Sequence, residues 1–146
     1  MSKALFANQR ETNLASTVLL VEEVLAELDV VDPVDEPTAV KAWRIGKDAT
    51  VSLINRSEFS HIRVQASVLR LDDKVDRGTL FSELLDHNAQ LCGAAFATDG
   101  DRVLLVSERT TLDLDKSEVR DLIDRVLGYV TQHAEVLVRR HGGVAI

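Results

Sequence analysis

Residues 80–115 read LFSELLDHNAQLCGAAFATDGDRVLLVSERTTLDLD, and this stretch decides the fold of the chain. Residues 80–91 form the C-terminal part of a predicted helix. Two apolar runs follow at residues 94–98 and 102–106, on either side of Asp99-Gly100. An Asp-Gly pair between such runs favours a β-hairpin, because the turn needs residues that tolerate a positive φ. Asp115 and Glu118 then have the spacing of a capping box at a helix start. The stretch therefore predicts helix, strand, hairpin turn, strand and helix.

Apolar stripes predict a long helix near each end of the chain. The first stripe consists of Leu14, Val18, Val21, Leu25 and Leu28. The last consists of Val119, Leu122, Ile123, Val126, Val130, Ala134 and Leu137. Recurrence every three or four residues is typical of an amphipathic helix. We expect Thr12 or Asn13 to cap the first helix and Thr79 to cap the second, and we expect Gly142-Gly143 to end the last.

Three further strands are predicted between the first two helices, at residues 39–45, 50–55 and about 61–68. In the third strand, Ile62, Val64, Ala66 and Val68 alternate with His61, Arg63, Gln65 and Ser67. This alternation predicts a sheet with one buried face and one face open to water or a partner. Residues 29–38 contain Pro33 and Pro37 and are predicted to form a loop.

The predicted order of elements is therefore α-β-β-β-α-β-β-α. Short connections make consecutive strands antiparallel neighbours, so the five strands form one antiparallel sheet. Helices are available to cover one of its faces, which defines a two-layer α+β sandwich. We expect residues 1–146 to form a single domain, with the first and fifth strands at the edges of the sheet.

Composition argues against direct binding of nucleic acid. The formal net charge is −7 and the isoelectric point is about 5.0, so a polyanion meets a repulsive field. Cys92 is the single cysteine and excludes an intramolecular disulfide. The apolar residues 4–7 are too few for a signal peptide, and no apolar run approaches the ~20 residues that span a bilayer. We expect a soluble, cytoplasmic protein with no direct nucleic-acid or membrane partner.

The sequence contains no signature of catalysis or of cofactor or metal binding. The glycines do not form a phosphate-binding loop, and the histidines and Cys92 lack the spacing of a zinc site. Asp99-Gly100-Asp101 lacks the distal glutamate of a calcium loop. We expect His87 to face solvent and Asn88 to cap its helix or to hydrogen-bond within the helix end. We predict no catalytic, cofactor-binding or metal-binding residue, and we predict that the protein is not an enzyme.

Residues 84–91, 93–96, 99–105 and 112–115 resemble the YbjN family, whose fold is similar to that of the type III secretion chaperones. The resemblance covers the whole chain in topology and residues 67–137 in sequence. It implies a small, acidic, cytoplasmic bacterial protein, usually a homodimer, that binds other polypeptides. In the secretion chaperones, an extended client segment wraps around the dimer and places apolar side chains in patches of the first helix and the sheet. YbjN-like proteins are linked to regulation and stress responses.

The resulting hypothesis is a homodimeric, chaperone-like polypeptide-binding adaptor or regulator. The candidate protein-binding residues are Val18, Leu19 and Leu20 of the first helix and Trp43 and Ile45 of the first strand. The same residues could instead fill the core. An exposed strand edge can accept an extended partner, and the acidic balance favours a basic one. The alternative hypothesis is a regulatory domain linked to small-molecule sensing, or to nucleic-acid transactions through a partner.

Overall fold

The structure is a computed structural model that describes residues 2–30, 32–56 and 59–146, with side chains described from Asn13 onward in the first helix. Val31, which belongs to the predicted loop, lies outside the described residues. Within the described ranges, the chain forms three helices and seven strands. These are α1 (Ser2–Glu27), β1 (Pro33–Val34), β2 (Lys41–Gly46), β3 (Ala49–Arg56), β4 (Phe59–Arg70), α2 (Arg77–Asn88), β5 (Ala95–Asp99), β6 (Arg102–Thr110), α3 (Lys116–His141) and β7 (Val144–Ala145).

The strands join one antiparallel sheet. Six of them follow the order β1-β2-β3-β4-β6-β5, and β7 pairs with β4. The predicted α+β fold with an antiparallel sheet and three helices is confirmed. The predicted count of five strands is wrong, because β1 and β7 have only two residues each. Strands this short carry no alternation that a sequence pattern could reveal.

Strand β1 lies inside the predicted loop, so the loop prediction is wrong at this point. The N–H of Arg44 on β2 donates to the carbonyl oxygen of Asp32 at 2.8 Å, and Pro33 lies opposite Trp43. Because backbone groups alternate between the two sides of a strand, the backbone of Pro33 faces the open edge of the sheet. Proline has no N–H, and an edge position is where a strand tolerates it.

All three helices cover the same face of the sheet and enclose one hydrophobic core. The buried helical residues are Val21, Val24 and Leu25 of α1, Leu80 and Leu84 of α2, and Val119, Leu122, Ile123, Val126 and Leu137 of α3. They share this core with residues of the sheet, among them Trp43, Val51, Ile62, Val64 and Leu105. No described helix covers the opposite face, which we call the open sheet face.

The alternation predicted for β4 is confirmed up to Ala66. Ile62, Val64 and Ala66 are buried in the core, and Arg63 lies on the open sheet face. A bulge between Ser67 and Leu69 then shifts the pairing with β6. Val68 and Leu69 are both buried as a result. A bulge inserts one unpaired residue, so a strict period of two cannot describe the end of this strand.

The predicted helix starts are partly confirmed. The capping box of α3 is present, with the Asp115 carboxylate accepting from the N–H of Glu118 at 2.9 Å. The cap of α2 is Asp76 and not Thr79, because the Asp76 carboxylate accepts from the Thr79 N–H. The cap predicted for α1 is also wrong. This helix begins at Ser2, so Thr12 and Asn13 lie within it.

Candidate functional site

Leu19 is the one member of the five predicted binding residues that projects fully into solvent. Its exposed fraction is 62%, whereas Val18 and Leu20 are half-buried and pack against the core. Ile45 is also half-buried against the core, and Trp43 is 1% exposed. The structure therefore brings four of these residues together in the core or at its margin. Leu19 is left on the outer side of α1.

A shallow cavity lies at the β1 edge of the sheet. Its volume is about 480 Å³, and residues 33–37 and 39–42 line it. Val40 contributes an exposed apolar side chain, and the carboxylates of Asp35 and Glu36 lie beside it. Apolar surface next to exposed carboxylates suits a polypeptide that carries both apolar and basic side chains.

The second edge of the sheet is β5, which corresponds to the fourth predicted strand. The prediction that the fifth strand, here β6, forms an edge is wrong, because β6 pairs with both β4 and β5. Val103, Leu104 and Leu105 of β6 are all buried. The nine-residue β6 is paired along both of its sides, whereas the five-residue β5 is left at the edge.

The side chain of Asn88 occupies part of the β5 edge. Its Oδ1 accepts from the backbone N–H of Phe96 at 2.6 Å, and its Nδ2 donates to the carbonyl oxygen of Phe96 at 3.2 Å. The Asn88 side chain therefore does not hydrogen-bond within its own helix end as expected, and the C-cap of α2 is Ala89. It occupies the two backbone groups that an added strand would use at this residue.

His87 does not face solvent as expected, since it lies half-buried between α2 and α3. Its ring centroid is 4.9 Å from that of His133 and 6.1 Å from that of Phe96. The sequence carries no signal for this contact, because His87 and His133 lie 46 positions apart on different helices.

An ionic cluster lies on the open sheet face around Glu108. The Arg56 guanidinium donates to both Glu108 oxygens at 2.6 and 2.8 Å, and Arg63 Nη1 donates at 3.2 Å. His61 Nδ1 lies 3.1 Å from Glu108 Oε2. The hydrogen bond from Arg56 contributes most to the lowering of the Glu108 pKa to about 2, although partial burial opposes it. The carboxylate is therefore a fixed negative charge and a poor candidate for proton transfer near neutral pH.

The described part of the chain holds no cluster of three or more His, Cys, Asp or Glu side chains that could bind a metal ion. Among its helices, none is both long and apolar enough to cross a membrane.

The fold defined by these elements is that of the type III secretion chaperones. One similar structure is the ExsC–ExsE complex, with 15% identity over 84% of this chain and 94% of the other, at a TM-score of 0.65. A second is the HopA1–SchA chaperone–effector complex, with 12% identity over 86% and 97% and a TM-score of 0.59. A third is the Yersinia pestis type III secretion chaperone SycH in complex with a fragment of YscM2, with 23% identity over 81% and 96% and a TM-score of 0.51.

Comparison of sequences adds no relative to these structures. No family profile matches the chain, and no curated protein matches it. The resemblance to the YbjN family therefore stays a prediction, whereas the predicted likeness to the secretion-chaperone fold is confirmed.

Proposed function

We propose that this protein is a non-enzymatic, chaperone-like adaptor or regulator that binds a partner polypeptide and acts as a cytoplasmic homodimer. The observation that carries the proposal is the fold, which is shared over more than four-fifths of the chain with chaperones solved together with partner proteins. The structure agrees with this role in two further respects. Apolar side chains are exposed to solvent on α1 and at the β1 edge. The carboxylate with the most strongly lowered pKa, that of Glu108, is held in ion pairs.

The proposed client surface consists of Leu19 on the outer side of α1, its neighbours Val18 and Leu20, and Ile45 of β2. Leu19 supplies an apolar contact without any rearrangement of the core, because its side chain is already in solvent. Trp43 belongs to the core under this surface and supports it without touching the client. Asp35 and Glu36 at the β1 edge favour a client segment with basic residues next to its apolar ones.

Replacing Leu19 with aspartate is expected to reduce client binding about tenfold, because an apolar contact is replaced by a charge that must be desolvated. The measurement is affinity capture of the tagged protein from nuclease-treated lysate of its own cells, followed by a titration with the purified client. Leu112→Asp is the matched control, since Leu112 is 68% exposed and lies in the loop before α3.

Equal capture by both variants would place the client elsewhere on the molecule. Capture that recovers the tagged protein alone, with no partner, would contradict the proposed function and favour a small ligand. The groove to search is then the one of about 500 Å³ between α3 and the C-terminus, which Val68, Val130, Ala134, Val138 and Ile146 help to line.

The proposed homodimer uses the open sheet face, which the described helices leave uncovered. Val106 lies half-buried on this face, opposite Gln65 of β4 and Ala95 of β5. Val106→Glu is expected to convert a dimer of twice the 16.1 kDa chain mass into a monomer, because it places an unpaired charge in the interface. Sedimentation equilibrium measures the mass, and a wild-type protein that sediments as a monomer would contradict the dimer.

A further inference from the structure

The contact between His87 and His133 places two titratable rings against each other at the junction of α2 and α3. The ring of His133 also meets the ring of Phe96 edge to face, with centroids 5.4 Å apart. Nε2 of His133 is enclosed and has no hydrogen-bond partner among the described residues. A proton on this nitrogen would therefore create a charge with neither solvent nor a protein acceptor beside it.

The charged groups around the pair can accommodate one proton but not two. From α2, the Glu83 carboxylate lies 3.8 Å from Nε2 of His87 and can stabilise a charge there. From α3, His141 and Arg140 already contact Glu83 at 3.0 and 2.6 Å and compete for its charge. β5 contributes Phe96, which has no charge, and the hydroxyl of Tyr129 is engaged with the backbone of Cys92. A second proton, on His133, would face the first across 4.9 Å.

The structure links this pair directly to the β5 edge. His87 is followed by Asn88, whose side chain holds both backbone groups of Phe96, and Phe96 packs against both histidines. A movement of the α2 end that separates His87 from His133 therefore also carries Asn88 away from Phe96. This contact lies at the end of α2, where a helix unwinds most easily.

We propose that His87 and His133 form an acid-responsive contact, and that protonation of both releases Asn88 from β5 and opens this sheet edge to an extended polypeptide. The use of the open edge by a client rests on the proposed function, whereas the release itself does not. At neutral pH the asparagine closes the edge, and the edge opens as the pH falls.

The direction of the pH effect follows from the environment of His133. Burial and the neighbouring His87 lower the pKa of His133, against a smaller opposing effect of Glu83. The folded state therefore binds fewer protons than the unfolded state below the ordinary histidine pKa of about 6.5. Stability from this group is complete above that pH and is lost as the pH falls. Glu83 itself stays ionised over this range, because His141 and Arg140 outweigh its burial and lower its pKa.

Hydrogen exchange at the Phe96 amide tests the release. We expect its protection factor to fall on the order of tenfold from pH 7.5 to 5.5, because the Asn88–Phe96 hydrogen bond that protects this amide is lost. His133→Phe keeps an aromatic ring but has no nitrogen that can be protonated. In this variant the protection factor of the Phe96 amide should change less than about twofold. His61→Gln, on the open sheet face, should behave like the wild type. Asn88→Ala should show low protection at both pH values.

If His133→Phe does not fold, His87→Gln carries the same test, because removing either proton prevents the double charge. A wild-type protection factor that does not change with pH overturns the proposal. A fall in His133→Phe or His87→Gln as large as the fall in the wild type also overturns it. Release at pH 5.5 without any client captured through β5 would overturn the use of this edge by a client, whereas loss of client capture in Leu19→Asp tests the proposed function separately.

Discussion

Replacing Trp43 with alanine is expected to lower the free energy of unfolding by about 3–5 kcal/mol, as for other large core residues. Trp43 is 1% exposed and pairs across the sheet with Val51, which is fully buried. Truncation would leave a cavity between β2 and the helical layer that neighbouring backbone cannot close, because interiors pack densely. For a chain of this length the melting temperature should fall by about 10 °C.

Urea unfolding followed by circular dichroism measures this loss, and Trp43→Phe should recover much of it. Leu19→Ala is the contrasting surface variant and should change stability by less than about 0.5 kcal/mol. Because Trp43 is the single tryptophan, the wild-type fluorescence also reports directly on the core. If Trp43→Ala lowered the free energy of unfolding as little as Leu19→Ala, Trp43 would not be a core residue.

Replacing Glu108 with glutamine should remove a pH-dependent part of the stability. A pKa lowered from 4.5 to about 2 corresponds to roughly 3 kcal/mol. Arg56 is about half exposed, so solvent screening reduces this, and we expect about 2 kcal/mol at pH 7. The lowered pKa means that the unfolded state binds more protons. The contribution is therefore present above pH 4.5 and lost as the pH falls through 2.

Urea titrations of the wild type and Glu108→Gln at several pH values between 7 and 2 measure the difference. The difference between the two free energies of unfolding at each pH cancels the contributions of the other carboxylates. This difference should approach zero at the acid end. Glu135→Gln is the matched control, because Glu135 pairs with Arg139 at 3.6 Å on the surface of α3 and is 87% exposed. A deficit for Glu108→Gln that stays constant down to pH 2 would show that packing, and not charge, is lost.

Local signals predicted the elements of this protein well because each depends on neighbours in the chain. The Asp99-Gly100 hairpin and the Asp115–Glu118 capping box are present, and Gly142 ends α3 with a φ of +85°. The alternation in β4 also placed His61 and Arg63 together on the face opposite the core. It could not supply Glu108, because that pairing depends on the register between β4 and β6.

The candidate binding residues show the same limit. The stripe of α1 indicates more apolar surface than one contact requires, but it does not say which side chain stays outside. That depends on how α1 lies across the sheet, which leaves Leu19 exposed and Val21 buried. Trp43 could be an anchor or a core residue by sequence alone, and its place in the same hydrophobic core as Val21 and Val24 of α1 makes it a core residue.

The sequence by itself determined the helices, the hairpin, the antiparallel two-layer class and the absence of catalytic motifs, since spacing and turn chemistry act over a few residues. The tertiary structure alone decided which strands are edges, where Asn88 and His87 lie, and which residues surround Glu108. Those outcomes depend on contacts between segments roughly 10 to 50 positions apart. A linear pattern does not encode them, because the free energy of each contact depends on the packing of the whole sheet.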